Sequence, residues 1–345
     1  MVSFECDYTT GCHPKILERY METNLDQQPG YGKDKFTIHA EELIRDACKS
    51  RNSEVHFIVS GTQANKVAIA ALLEDYEGII APSTGHVSVH EAGAIEDSGH
   101  KVIELPENNG KISASQIDEY VTDFYNDGSW QQMVIPGLVY ITLPTEFGTL
   151  YTLSELTEIS NVCKKHNMRL FVDGARLSLA LASDECDITL PDLAKLADCF
   201  TIGSTKSGAM LGEALVFRQD STPKNFITTR RKHGALLAKG RVVGISFETL
   251  FTDNLYIEIG KKILDSSKKL RDILHKNNCK FFLESPTNQQ FIILENSVLK
   301  ALNSRVAVTN WDKFDDQHRI VRLVASWSTT DQDLIALDEA LSEII

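Results

Sequence analysis

Two polar residues of this chain each follow an apolar run, about thirty positions apart, and their types point to one chemistry. Lys206 comes shortly after Cys199-Phe200-Thr201-Ile202-Gly203, and Asp173 closes Leu170-Phe171-Val172. Each run has the length and apolarity of a buried strand, so an amine and an acid are both delivered from strand ends. An amine so placed can form a Schiff base with an aldehyde. A carboxylate can keep a pyridine nitrogen protonated, so that the ring accepts electrons from a carbanion. The pair suits pyridoxal phosphate (PLP). The plainer alternative is a buried Asp-Lys ion pair in an unrelated α/β protein, since strand-end polar residues are common in such folds.

Four further features fit that chemistry, each with an ordinary structural alternative. Ser60-Gly61-Thr62 lies between a strand-like and a helix-like segment, where free N–H groups, hydroxyls and the helix dipole converge and can hold a phosphate; otherwise it is a plain N-cap. His86, among small residues after a short strand, can stack on a pyridine ring and move a proton; His90 is the weaker candidate, and either can be merely structural. Arg176, three residues past Asp173, has the planar fork that grips a carboxylate. Arg322, flanked by Val321 and Leu323, needs an anionic partner if it is buried and is a surface residue if it is not.

The elements that must position these residues alternate. Residues 54–59, 78–81, 101–105, 138–143, the Asp173 run, the Lys206 run and 214–217 read as strands, and 66–76, 113–125 and 153–166 as helices. Such alternation implies an α/β architecture with a mostly parallel sheet and helices on both faces. A long helical stretch follows from about 232 to 277, broken near Gly240 and Gly244. Strands at 279–283, 290–294, 306–308 and 320–324, with helices at 297–302 and 330–344, then predict a smaller α+β domain. The first fifty residues comprise a polar arm, a helix over 14–23, a Gly30-Tyr31-Gly32 loop and a helix over 35–49. The expected division is an arm at 1–13, a large PLP-binding domain at 14–238 and a small domain at 239–345.

Composition excludes several classes. At 345 residues, with 42% hydrophobic and 24% charged, the chain can bury sizeable cores in two domains. The net charge of −13, without a long basic run, argues against nucleic acid or an acidic membrane as partner. Seven scattered cysteines, with no C-x-x-C pair, argue against both a disulfide framework and a zinc site, and no metal is expected. No apolar stretch has transmembrane length and the amino terminus is acidic, so a cytosolic protein is expected. A G-x-G-x-x-G turn is absent, which counts against a dinucleotide but leaves a non-catalytic metabolite-binding α/β module open.

Ser60-Gly61-Thr62-Gln63, Gly85-His86 with Glu91-Ala92-Gly93, Asp173-Gly174-Ala175-Arg176, the Lys206 segment and Arg322-Leu323-Val324 occur in an order and spacing that resembles the L-threonine aldolases and related β-eliminating lyases. Asp7-Tyr8 and the Gly30-Tyr31-Gly32 loop look like the amino-terminal arm of that family. The resemblance implies the aspartate aminotransferase fold (fold type I), with PLP on Lys206, Asp173 at the pyridine nitrogen and His86 on the ring. It implies that Ser60, Gly61, Thr62 and Ser204 surround the phosphate, and that Arg176, beside the cofactor, and Arg322 hold the carboxylate of an amino-acid substrate. Its active site lies at a subunit interface, so a homodimer or homotetramer is implied, in which Tyr31 and the basic group Arg230-Arg231-Lys232 serve the neighbouring protomer. The implied reaction is retro-aldol cleavage of a β-hydroxy amino acid to glycine and an aldehyde, with β-elimination and racemisation as alternatives on the same cofactor. Two positions depart from the family pattern. Cys6 stands where many aldolases carry a substrate-binding serine, and is a poorer hydrogen-bond partner. Gln131-Gln132-Met133 stands where some members place a histidine near the substrate hydroxyl, which leaves the base at that hydroxyl open.

Overall fold

The computed structural model describes residues 2–345. Its elements in chain order are β1 (Val2–Ser3), α1 (Pro14–Thr23), α2 (Lys35–Ala47), β2 (Glu54–Ile58), α3 (Gly61–Leu72), β3 (Glu77–Pro82), α4 (His86–Val89), β4 (Val102–Leu105), α5 (Ala114–Asn126), β5 (Ile135–Thr142), α6 (Leu153–Lys165), β6 (Arg169–Asp173), α7 (Leu177–Ala182), α8 (Leu190–Leu196), β7 (Cys199–Gly203) and β8 (Glu213–Phe217). They continue with α9 (Phe226–Lys232), α10 (Arg241–Phe251), α11 (Leu255–Lys276), β9 (Lys280–Leu283), β10 (Gln289–Glu295), α12 (Asn296–Leu302), β11 (Val306–Ala307), β12 (Thr309–Lys313), β13 (His318–Val324) and α13 (Asp331–Ile344). Local chemistry starts many of the helices. Ser113 with Gln116, Thr152 with Glu155 and Thr330 with Asp333 form reciprocal capping boxes at α5, α6 and α13.

Seven strands form the central sheet in the order β2-β8-β7-β6-β5-β3-β4. All are parallel except β8, which runs against both β2 and β7. The link from β7 to β8 is residues 204–212, too short for a parallel crossover. Alternate residues of each strand enter different cores. Val139, Ile141, Val172 and Phe200 pack on one face, with α7, α10 and α11. Leu138, Tyr140, Phe171 and Leu215 pack on the other, under α3. A sheet buried on both faces explains the near-continuous apolar runs in the sequence.

The C-terminal part carries a four-stranded antiparallel sheet, β12-β13-β10-β9, with its own core. The two cores meet inside α11 rather than at 238/239. Tyr256, Ile259 and Ile263 belong to the core under the central sheet, and Leu270 and Leu274 to the C-terminal one. Nor does the arm stand apart, because β1 pairs in parallel with β11 and Phe4 is buried in the C-terminal core.

Four sequence expectations are corrected. The helix placed at 66–76 opens at Gly61, because Ser60 caps it directly after β2, and closes at Leu72. Gly244 does not break the long helical stretch but lies within α10. The breaks are the loop at 233–240 and the turn at Asp253 and Asn254, whose φ values of 50° and 59° no helix accommodates. The strand expected at 306–308 is the short partner of β1 and takes no place in the C-terminal sheet. Strand β12 was not anticipated, since Thr-Asn-Trp-Asp-Lys is polar, as an exposed sheet edge commonly is. Among the described residues no helix is long and apolar enough to cross a membrane.

Candidate active site

The site is assembled where β5, β6 and β7 end. Asp173 closes β6 opposite Thr142 of β5, and the Leu143 N–H donates to the Asp173 carbonyl at 2.8 Å. The ends of β6 and β7 approach closely, with a bond from the Gly203 N–H to the Gly174 carbonyl at 2.9 Å. Glycine is required on both sides. A Cβ on Gly174 would stand 2.2 Å from the Thr201 carbonyl, and one on Gly203 2.3 Å from that of Ala175. A single turn at Thr205–Ser207 then presents Lys206.

Four donors hold the Asp173 carboxylate. Its Oδ2 accepts from Tyr140 Oη at 2.7 Å and from Asn65 Nδ2 at 2.9 Å, and its Oδ1 from the Ala175 N–H at 2.9 Å and from Thr201 Oγ1 at 3.3 Å. Asn65 also donates to Glu91 Oε1 at 2.7 Å, and the same oxygen meets His86 Nδ1 at 2.7 Å. An acid, an amide, a second acid and an imidazole thus form one chain of hydrogen bonds. Burial opposes the charge on His86, but the Glu91 bond, with Glu146 and Asp173 nearby, outweighs it and raises the imidazole above its ordinary pKa.

Lys206 is half-buried and, among the described residues, makes no hydrogen bond or ion pair. Burial and the charge of Arg176 hold its ammonium below the ordinary lysine value, against the pull of Asp7, Glu146 and Asp173. An amine of lowered pKa in such a setting is a nucleophile for a carbonyl.

The two arginines differ. Arg176 is 8% exposed, and its fork is already taken: Nε and Nη2 bond Asp7 at 2.7 and 3.1 Å, and Asn288 donates to the same carboxylate at 2.9 Å. Within the chain its fork is therefore engaged by Asp7, and only Nη1 makes no hydrogen bond among the described residues. Arg322 lies 4.5 Å over the Trp311 ring, with Nη1 on Gln289 at 3.2 Å and Nη2 on the Glu5 carbonyl at 3.2 Å. Its Nε is shut from solvent and unpartnered. A buried donor with no acceptor marks the place of a missing anion or water. Cys6, beside Asp7, is half-buried with a free thiol.

At the start of α3 the Ser60 Oγ accepts from the Gln63 N–H at 3.4 Å, while the Gly61 and Thr62 N–H groups can have no partner within their own helix. A Cβ on Gly61 would meet nothing within 4 Å, so there is open space beside this residue. Ser204 donates to the Gly212 carbonyl at 2.6 Å. The donor set fits PLP: a partnerless amine, a fixed carboxylate and a helix N-terminus open to an anion.

Not every candidate joins this cluster. Arg231 and Lys232 are exposed, and the Arg231 guanidinium lies 5.3 Å over the Tyr31 ring, outside the hydrogen-bond network. Arg230 is buried against β2, donating to the Phe57 carbonyl at 2.8 Å, and burial lowers it to about 10. It is no part of a basic surface. Gln131 to Met133 sit at the opposite end of β5 from Asp173, about 25 Å away for eight strand residues, whereas the other end of that strand stands beside Asp173.

There the structure places Glu146, 7% exposed and without a hydrogen bond among the described residues. Its charge acts on His86, His90, Lys206, Arg176 and Arg322. The strand-end logic that selects Lys206 and Asp173 would have found it. Asn65 had a signal too, as a polar residue on the buried face of α3 between Ala64 and Val67. Tyr140 had none, since it sits inside an apolar strand.

Comparisons with known proteins bear on this geometry. The beta-eliminating lyase family model matches residues 3–296. The chain is 30% identical over 286 residues to a low specificity L-threonine aldolase from a Pseudomonas species, covering 82% of this chain and 77% of that one. A solved structure of Leishmania major threonine aldolase matches with a TM-score of 0.95 and 40% identity, covering 99% of both chains. A mutant Thermus thermophilus aspartate aminotransferase, 15% identical, matches with a TM-score of 0.73 over 100% of this chain and 96% of that one, and shows that the fold is shared. With the match extending from the arm through Lys206 to the end of β10, the chain belongs to the beta-eliminating lyase family.

Proposed function

We propose that the protein is a PLP-dependent aldehyde-lyase that cleaves L-threonine and L-allo-threonine, and β-hydroxy-α-amino acids generally, to glycine and an aldehyde. The observation that carries this is the convergence, at adjoining strand ends, of a partnerless Lys206 amine and an Asp173 carboxylate locked by Asn65 and Tyr140. The likeness to threonine aldolases adds the substrate class. When bound, the cofactor supplies a ring that accepts electrons from a carbanion at the substrate Cα.

The side chains divide the remaining work. Lys206 provides the amine that carries the cofactor. Asp173, unable to turn within its four bonds, would stand at the ring nitrogen. Ser60, Gly61, Thr62 and Ser204 surround the phosphate. Arg322, its guanidinium held over the Trp311 ring, takes the substrate carboxylate. Arg176, clamped by Asp7, adds its remaining edge, with Cys6 alongside. Glu91 accepts the Nδ1 proton of His86 and so leaves Nε2 as the atom that takes the β-hydroxyl proton. Such positioning lets the Cα–Cβ bond break without a strong base.

The reading includes an assembly of two or more copies. Leu17, Met21 and Leu25 are 45%, 80% and 90% exposed and recur every four residues, so α1 and its extension present an apolar stripe that a second chain would cover. Tyr31, 47% exposed with Arg231 above it, would then serve the neighbouring protomer, with Lys232 beside it. Seven unpaired cysteines support a reducing, cytosolic setting.

Product analysis of the PLP-loaded protein with L-threonine and L-allo-threonine tests the activity. Glycine and acetaldehyde in equal amounts are expected. A 2-oxo acid and ammonia without aldehyde would favour the β-elimination for which the family is named.

A further inference from the structure

Glu213, the first residue of β8, has no role in the chemistry above. It is 4% exposed, and its Oε2 is closed off from solvent with no hydrogen-bond partner. An unpartnered carboxyl oxygen in a protein interior is costly and calls for a cause.

Two strand registers fix its position. Glu213 stands opposite Ile58 at the end of β2 and opposite Gly203 at the end of β7. Residues directly opposite across antiparallel strands share a face. Ile58 packs with Ala64, Val67 and Ala68 of α3, so the Glu213 side chain rises on the α3 side of the sheet. Two residues beyond Ile58 is Ser60, the cap of α3, and one beyond Gly203 is Ser204. Gly212, the residue before Glu213, ties in the Ser204 turn, its carbonyl accepting from the Ser204 N–H at 3.2 Å and from the Ser204 hydroxyl at 2.6 Å. The acid therefore lies on the α3 side of the sheet, between the strand end that leads to Ser60 and the free Gly61 and Thr62 N–H groups and the strand end that leads to Ser204.

Its protonation state follows from its surroundings. Burial is the main cause, and Asp173 of β6 adds to it; together they hold the carboxyl well above the usual carboxylate range, against the opposing charge of Lys206. The Tyr256 hydroxyl of α11 is the other titratable group nearby. A neutral carboxyl carries one O–H to donate, and an O–H donated to a phosphate oxygen is among the stronger hydrogen bonds.

We propose that Glu213 donates a hydrogen bond to the phosphate of bound PLP beside the N-terminus of α3, and so is a further cofactor-binding residue. This rests on the cofactor reading given above. A glutamate is a poor sequence signal for phosphate binding because an ionised one would repel the ligand; only burial between those strand ends turns it into a donor.

The test compares PLP with pyridoxal, which lacks the phosphate, in absorbance titrations of the full-length protein freed of cofactor. Glu213→Leu should weaken PLP about ten- to a hundredfold and leave pyridoxal affinity unchanged. Glu213→Gln, which keeps a neutral donor, should retain most PLP affinity and shift the ³¹P resonance of the bound cofactor. That second variant covers the case in which the leucine variant does not fold. Equal weakening of both ligands, unchanged PLP affinity in the leucine variant, or an unmoved ³¹P resonance in the glutamine variant would overturn the assignment. Wild-type protein that binds neither ligand would instead overturn the cofactor reading on which it stands.

Discussion

The Asp7–Arg176 pair ties the arm to the active site through two parallel bonds. Burial pushes the Asp7 carboxyl up, but Arg176 and Lys206, with the bonds from Arg176 and Asn288, prevail and lower it from 3.8 to about 2. A carboxyl whose pKa falls on folding stabilises the protein fully above its unfolded value, and that contribution is lost as pH drops through the folded one. The window here is from about pH 4 down to about 2. Asp7→Asn should cost about 3–5 kcal/mol at pH 7, because it leaves a buried guanidinium without a counter-charge; denaturant unfolding measures this, and an unchanged free energy would contradict the pairing. His86 gives a second outcome. Glu91 holds its imidazole above the ordinary value, and the neutral form takes the hydroxyl proton, so Glu91→Gln should move the acid limb of kcat/KM to lower pH. An unmoved limb would remove His86 from that role. At this scale Lys206, Asp173 and His86 were legible because each is a polar residue following an apolar run. Tyr140 was not, because only its hydrogen bond to Asp173, made from a position opposite Phe171, distinguishes it from a core aromatic. Nor was the capture of Arg176, since its partner lies 169 positions away.

Among the elements, the packing of α10 on α2 depends on Gly244. A Cβ there would lie 2.3 Å from Thr37 Oγ1 and 2.7 Å from the Thr37 Cα. Alanine in a helix interior gains about 1 kcal/mol over glycine, while forcing a packed interface apart costs about 1–3 kcal/mol. Because the clash is with backbone as well as side chain, the second effect should win. Gly244→Ala should lower Tm by several degrees, and a rise would show that α2 yields easily. Sequence periodicity placed most helices and strands of the central sheet, since both of its faces are buried and its segments are long. It misjudged Gly244, because a glycine that permits helix contact and one that ends a helix look alike along the chain. It missed β12, whose Trp311 nonetheless carries the stack under Arg322. Edge strands have a solvated side and no apolar run to announce them.

For the whole molecule, the apolar stripe on α1 has no explanation within one chain. Wild-type protein should scatter light with a mass of at least twice 38.5 kDa. Met21→Lys with Leu25→Lys should shift it toward a single chain and reduce turnover, if Tyr31 and Arg231 complete the neighbouring site. A monomeric wild type of full activity would contradict the shared site. The α/β class and a smaller C-terminal part were legible from the order of segments. Where the two cores divide was not, because α11 is one continuous helix whose apolar face changes partner partway along its length.

Borohydride reduction of the PLP-loaded protein, followed by peptide mapping, tests the central claim most directly. The visible absorbance should disappear, and the cofactor should be recovered on the peptide that contains Lys206 and on no other. Label on a different lysine, or protein that takes up no PLP at all, would contradict the account.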